Sequence, residues 1–508
     1  MKKRSQLPNV QTFTIIFRGL SKSQHPKLAV AEAVKLYNVL LADRRLQPNS
    51  IHLNAVLSVC SRANDLDSLF LIANTRNDST RAATPYTYTT ILNALRHHAL
   101  KENAPSDTLS EEQTATNLQR TVDRARSIWV EVIEKWQAGK LLIDEELVCA
   151  MGRVQLLSPK REQKRQVLDL LTQTMNIPNL TLPSPPALTP NTSGPIPGRN
   201  TLALILTTLA SAKLTSAGMK YWSLLTSTYN IHPDPDNYLR LLGMLKVAKA
   251  PASSSTAIAT LPETSPIHTS PKPYRIAMET CVRDNINNNV TTHSTAILNH
   301  MLARLDVPDL HTLRLYLRVA LVSHYAFRKN PNQDAGKASY GTQLTTALGN
   351  LWEPYKKTHY HYFKATPTPN TKTEKAILYN NQREVIALAR HMFSAFNKVI
   401  NEKMLPDSEL KDLRRVGAKI NKEIVKFYED REQIEPNLKK FTKAKFDNNR
   451  ANDNTGDYKK ASVRNDDGDS FYEEDPLESG DLRQGGDFVW RTNRPLTQEA
   501  SRRSTTSF

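Results

Sequence analysis

Three side chains near the start of the chain have the type and spacing for reading hydrogen bonds: Thr14, Asn54 and Thr89. Each directly follows an apolar anchor, respectively Phe13, Leu53 and Tyr88. A hydroxyl or amide on a short stem can both donate and accept hydrogen bonds. The same residue types are also frequent at helix starts, where they satisfy free backbone amides. Farther along, residues 355–364 read YKKTHYHYFK. There Tyr355, Tyr360 and Tyr362 alternate with Lys356 and Lys357. Such a run can stack bases and neutralise phosphates. It can equally be an amphipathic connector whose lysines snorkel along apolar surface.

The anchor–polar pairs lie within a repeat. Residues 8–20 read PNVQTFTIIFRGL, residues 48–57 read PNSIHLNAVL, and residues 85–95 read PYTYTTILNAL. Thr14 and Asn54 are 40 residues apart, and Asn54 and Thr89 are 35. A period in this range predicts stacked supersecondary units rather than one globular core.

Apolar residues recur at helical spacing through most of the first 450 positions, and strand-like alternation is scarce. In the first unit Phe13, Ile16, Phe17 and Leu20 form one face, answered by Ala33, Leu36, Tyr37 and Leu40. Pro48 then stops the chain, because it has no N–H to continue a helix. Further helices are predicted over 119–138, from Asp144 through Val154, and over 200–212, 216–228 and 236–248. Others follow over 273–284, 291–305, 309–328 and near 343–352, with a last block over 373–446. A polar stretch at about 101–118 interrupts the third unit.

The predicted organisation is repeats over 1–177, a Pro-rich linker at 178–198, and degenerate helical repeats over 199–328 with a Pro/Ser/Thr-rich loop at 249–272. A loop and basic–aromatic connector follow at 329–372, then the helical block at 373–446. The tail, 447–508, has few apolar residues, so burial does not offset the entropy of ordering it, and it is expected to be disordered. Its acidic residues, Asp466, Asp467, Asp469, Glu473, Glu474 and Asp475, read as a solvated run rather than a cation site.

Charge narrows the partners. Lys plus Arg number 68 against 50 Asp plus Glu, a net +18. The tail from 451 holds 8 basic and 12 acidic residues, so residues 1–450 carry +22. A basic body favours polyanions, nucleic acid before membrane surface. Clusters at Lys160-Arg161, Lys164-Arg165 and Arg414-Arg415 suit phosphates, although charged helix faces are usually only solvated.

No catalytic constellation is present. There is no phosphate-binding glycine loop, no dinucleotide fingerprint, no GxSxG and no HExxH. Cys60, Cys149 and Cys281 lie far apart in apolar helical patterns and form neither a disulfide framework nor a metal site. His359 and His361 lack a third ligand nearby, so no metal and no cofactor is expected. No run of about 18 apolar residues predicts a membrane span. The basic start, Met1-Lys2-Lys3-Arg4, leaves no room for an Arg- and Ser-rich presequence before the first repeat. The expectation is a cytosolic chain, or one whose presequence is missing from this sequence.

The Pro-Asn punctuation, the aromatic-then-polar start and the Ile/Leu-rich helix resemble the pentatricopeptide repeat family. The match is clearest over 8–60 and degenerate over 84–100, 119–154, 200–248 and 387–407. The tetratricopeptide repeat, a peptide binder, wants an early Trp and Gly that are missing here apart from Gly19. The resemblance implies an all-α fold, a right-handed superhelical α-solenoid of antiparallel helix pairs. It implies single-stranded RNA, messenger or ribosomal, as partner, with one small polar residue per unit joining a residue beside the junction Pro to read a base. Thr14 would pair with Asn49, a combination that favours adenine in the family. Asn54 and Thr89 would read the next bases. The chain looks like the fungal mitochondrial members, which implies a matrix location and a role in RNA maturation, stability or translation. Some members sit on the small mitochondrial ribosomal subunit. Val148, Ala203 and Leu239 occupy later reader positions, and an apolar side chain cannot report base identity. A protein–protein scaffold in a ribosome or assembly complex is therefore the alternative. The zinc deaminase-like domain of some relatives needs paired cysteines, and the C-terminal half has Cys281 alone. A nuclease domain needs clustered acids on folded elements. No enzymatic activity is expected.

Overall fold

The computed structural model describes residues 8–103, 110–183, 194–262, 266–366 and 371–434. The tail at 447–508, with its acidic run, lies outside the described residues, as do residues 184–193 of the Pro-rich segment and 435–446 of the last predicted helical block. The described residues are helical, without a strand among them.

The chain divides into two compact units, Met1–Ala248 and Lys249–Phe508. The first contains α1 (Val10–Leu20), α2 (Pro26–Ala42), α3 (Ser50–Ala63), α4 (Leu66–Ala73), α5 (Pro85–Glu102) and α6 (Glu111–Gln137). It continues with α7 (Glu145–Gln155), α8 (Arg161–Met175), α9 (Arg199–Ser211), α10 (Gly218–Ser223) and α11 (Pro235–Ala248). The odd-numbered helices pack in succession, α1 on α3, α3 on α5, then α7, α9 and α11, and the even-numbered helices lie against them. This is the α-solenoid stacking that the repeat predicts.

The repeat works through burial and capping together. Phe13, Leu53 and Tyr88 are buried anchors; Phe13 packs against Phe17, which meets the buried Tyr37 ring of α2 edge-on. The odd helices are opened by Asn9, Asn49, Thr84 and Asp144, each accepting a backbone N–H from its own first turn. Asp234 does the same for α11. Such caps satisfy helix-end donors that have no partner within the helix. Asn64 ends α3 and Asn176 ends α8, both left-handed (φ 58° and 56°), a conformation Asn tolerates better than most residues.

The third unit is tied from outside. The Tyr88 hydroxyl donates to Glu131 Oε1 on α6 at 2.9 Å, and Glu131 also meets Lys135 at 2.9 Å and Arg76 at 2.8 Å. The interruption predicted at 101–118 is short, since α5 runs to Glu102 and α6 begins at Glu111. The first residues of the Pro-rich segment are anchored: the Leu180 amide donates to the Tyr221 hydroxyl, which donates to the Pro178 carbonyl.

The second unit contains α12 (Pro251–Ala259), α13 (Lys272–Arg283), α14 (Val290–Arg304), α15 (Leu310–Val322), α16 (Tyr325–Arg328), α17 (Gln333–Tyr360), α18 (Lys372–Asn401) and α19 (Asp407–Ile434). Here α13 packs on α15, α15 on α17 and α18, and α18 on α19. Two predicted loops are corrected. The 249–272 segment carries α12, because Pro251 occupies the first turn, where a missing N–H costs nothing. Most of 329–372 is the 28-residue α17 and a wider turn at 361–365. Its small residues serve close packing rather than a loop: a Cβ on Gly341 would stand 2.6 Å from Met404 Cβ. Pro406 lies between α18 and α19, just before Asp407.

Among the described residues, no helix is long and apolar enough to cross a membrane, and no cluster of His, Cys, Asp and Glu could hold a metal ion.

Candidate nucleic-acid interface

The caps define a common register along the odd helices of the first unit. Two residues after each cap stand Gln11, Ile51, Tyr86, Glu146, Asn200 and Asp236, and all six are exposed. Three residues later, on the same helix face, stand Thr14, Asn54, Thr89, Cys149, Ala203 and Leu239. The sequence alignment had placed Val148 among the readers. The Asp144 cap shifts that position to Cys149 and puts Val148 in the anchor series with Phe13, Leu53 and Tyr88. Cys149 is itself buried, with Sγ 3.9 Å from the Thr201 hydroxyl, and burial pushes its thiol up to about 12.

The four candidate readers are in different states. The Thr14 hydroxyl donates to its own helix at the Val10 carbonyl, 3.2 Å away. Asn49 is the cap of α3: its Oδ1 accepts the Ile51 N–H at 3.1 Å. The His52 ring completes that cap and donates from Nε2 to the Val10 carbonyl of α1 at 2.9 Å. Asn54 is bonded at both ends. Its Nδ2 donates to the Thr84 hydroxyl at 3.2 Å, and its Oδ1 accepts from the Thr87 hydroxyl at 2.7 Å. Thr84, the cap of α5, thus holds the place beside Asn54 that Asn49, the cap of α3, holds in the repeat after Thr14. Thr89 Oγ1 is buried and has no hydrogen-bond partner.

Sequence reasoning also missed the two exposed apolar neighbours. Ile51 is 54% exposed and Tyr86 56%, one turn from Asn54 and Thr89 respectively. The Tyr86 hydroxyl lies 3.4 Å from Ser58 Oγ on α3, so its ring lies along the groove between two odd helices. A flat apolar surface beside a polar side chain suits a base, which offers a π-face and a polar edge. Large exposed apolar residues right after a helix cap were the available signal.

The later helices differ on this same face. Arg153 donates to Asn200 Oδ1 at 3.1 Å, and Arg240 donates to the Thr207 hydroxyl at 3.1 Å. Glu146 and Asp236 place carboxylates where Ile51 and Tyr86 stand earlier. Polar groups there bond each other, and the acids repel phosphate. At this boundary Glu145 takes an unusual role. Gly198 begins α9 with no side-chain cap, and Glu145 Oε1 supplies it from α7, accepting Gly198 N–H at 2.9 Å and both the N–H and hydroxyl of Thr201 at 2.8 Å.

The basic–aromatic run in the second unit is anchored in the core at Tyr355 and Thr358 and is exposed or half-buried elsewhere. Tyr355 is 1% exposed and donates to Glu423 at 2.6 Å, so its ring is not open to a base, which corrects that assignment. His359 stacks on Phe363. Lys356 pairs with Glu353 at 2.5 Å, whereas Lys357 is exposed. Tyr360 is 60% exposed and Tyr362 is half-buried, its carbonyl taken by Gln382. The predicted phosphate clusters remain at the surface; Arg165 stands 3.6 Å from Glu162 and Arg415 3.9 Å from Asp412.

No family model matches the sequence, and no curated protein matches it. Among solved structures, the chain is similar to the pentatricopeptide repeat protein PPR10 from maize, at 13% identity and a TM-score of 0.30, covering 86% of this chain and 71% of that one. It is similar also to PPR10 in complex with an 18-nt psaJ RNA element, at 11% identity and a TM-score of 0.27, covering 84% of this chain and 70% of that one.

Proposed function

We propose that the first three helix pairs bind a short single-stranded RNA segment, and that the basic body screens its phosphates. The observation that carries this reading is the repeated pair of an exposed apolar side chain and a polar one: Ile51 with Asn54, and Tyr86 with Thr89. The charge of +22 over residues 1–450 supports it. Thr14 with Asn49, and Asn54 with Thr84, are the base-edge contacts. The chain acts as a binder and not as an enzyme. Its setting is mitochondrial, in the matrix, where it serves RNA maturation, stability or translation, in contact with ribosomal proteins of the small subunit.

Crosslinking in cells followed by RNA sequencing tests this. A sharp single-stranded footprint on organellar transcripts is expected. A diffuse or absent footprint would overturn it and favour an α-solenoid scaffold. One observation favours that second reading for α7 to α11: their shared face is closed by Arg153–Asn200 and Arg240–Thr207. The two readings therefore divide the first unit between them, with RNA on the early pairs and protein on the later ones.

A further inference from the structure

We propose that the cleft between α15 and α18 in the second unit is a phosphate-binding site. Helix α15 presents Arg314 and Arg318 with Leu317 and Leu321, at the spacing of one helix face, and α18 answers with His391 and Lys398. The cleft encloses about 40 Å3.

Three of its polar groups are buried with no hydrogen-bond partner: Arg314 Nε, Arg318 Nε and His391 Nδ1. Orphaned buried polar groups are rare, and two unpartnered guanidinium donors in the lining of one cleft call for an acceptor. Two of the cations are balanced, Arg314 by Glu384 at 2.6 Å and Lys398 by Glu402 at 3.0 Å. Among the described residues Arg318 pairs with no carboxylate, so one cation lining the cleft is unbalanced. Burial, then Arg314 and Arg390, pushes the His391 imidazole down to about 4. The ring is therefore neutral at physiological pH in a field that favours an anion. Guanidinium groups match phosphate oxygens in geometry, and apolar walls from Leu317 and Leu321 strengthen the attraction.

The phosphate belongs either to a small molecule or to a nucleic-acid backbone, and the site chemistry is the same for both. The proposal does not rest on the RNA reading of the first unit. It is tested on the full chain by titrating inorganic phosphate in a phosphate- and sulfate-free buffer. The melting temperature and the His391 ring signal, assigned by its loss in His391→Gln, are followed. Saturable changes in both are expected. Arg318→Leu should weaken the response about tenfold or more, the worth of one charge-assisted hydrogen bond. If Arg318→Leu does not fold, Arg318→Gln is read for the phosphate response alone. No saturable response, or an equal one in the Arg318 variant, overturns the proposal. Both sources support the site: an oligouridylate without terminal phosphates moves the same His391 signal if the ligand is a backbone diester, and leaves it still if the ligand is a small phosphate.

Discussion

The amide of Asn54 and the hydroxyl of Thr84 are bonded to each other at 3.2 Å across successive odd helices. A side chain assigned to base reading therefore also ties α3 to the cap of α5. Asn54→Ala should lower stability by about 1–2 kcal/mol, because the Thr84 and Thr87 hydroxyls lose their partner. Urea unfolding measures it. An unchanged midpoint would mean that the bonds contribute nothing and that Asn54 is free for a ligand.

Asn49 permits a cleaner separation of fold and readout. Asn49→Asp keeps the oxygen that accepts the Ile51 N–H, so stability should change by no more than about 0.5 kcal/mol. The amide NH2 is lost, so base preference should change at a single RNA position. Selection from a randomised RNA pool reports it, and an unaltered preference would remove Asn49 from the reading pair.

Tyr86 should matter to RNA and little to the fold. Tyr86→Ala is expected to weaken binding to single-stranded RNA by about 1–3 kcal/mol, the scale of one base–aromatic stack. Tyr86→Phe should bind nearly as the parent does. Equal losses in both variants would point to the hydroxyl and its Ser58 neighbour rather than to stacking.

Asp309 makes stability depend on acid. Burial raises its carboxyl, but the Arg275 fork at 2.6 and 2.9 Å, together with Thr312, more than offsets this, and the group sits below the usual carboxylate range. A lowered folded value stabilises the fold above the unfolded value, about pH 4. That contribution disappears as pH falls through the folded value. In Arg275→Met, burial prevails, the shift reverses and the acid-dependent loss should shrink. Unfolding midpoints between about pH 3 and 6 would show an equally steep loss in both proteins if this pair were unimportant.

Gly198 has no room for a methyl group. A Cβ there would meet Glu145 Oε2 at 2.6 Å. Gly198→Ala and Glu145→Ala should each destabilise by about 1–3 kcal/mol, the first by crowding and the second by leaving amides uncapped. Thermal unfolding of both variants and of the double variant should show non-additive losses.

The repeat was legible because anchors and caps recur together in short segments: Pro-Asn at 8 and 48, and Phe13, Leu53 and Tyr88 after them. Helix α17 was legible only near 343–352, since Gly336, Gly341 and Pro354 look like loop residues until their packing is known. Cys149 was misplaced by one position because the insertion before Asp144 destroys the period, and only the cap restores it. Tyr355 showed aromatic–basic patterning, but whether such a ring faces solvent depends on Glu423, 68 positions away. The cleft at Arg318 left no local trace, because its two walls are separate helices.

Glu145 makes the start of one helix the property of another. Helix α9 cannot nucleate on its own cap, so its first turn should form only after α7 is in place. Along the stack this imposes a direction of assembly, from the amino-terminal pairs outward. Unfolding should run the opposite way, with α9 to α11 opening as a block while the earlier pairs remain closed.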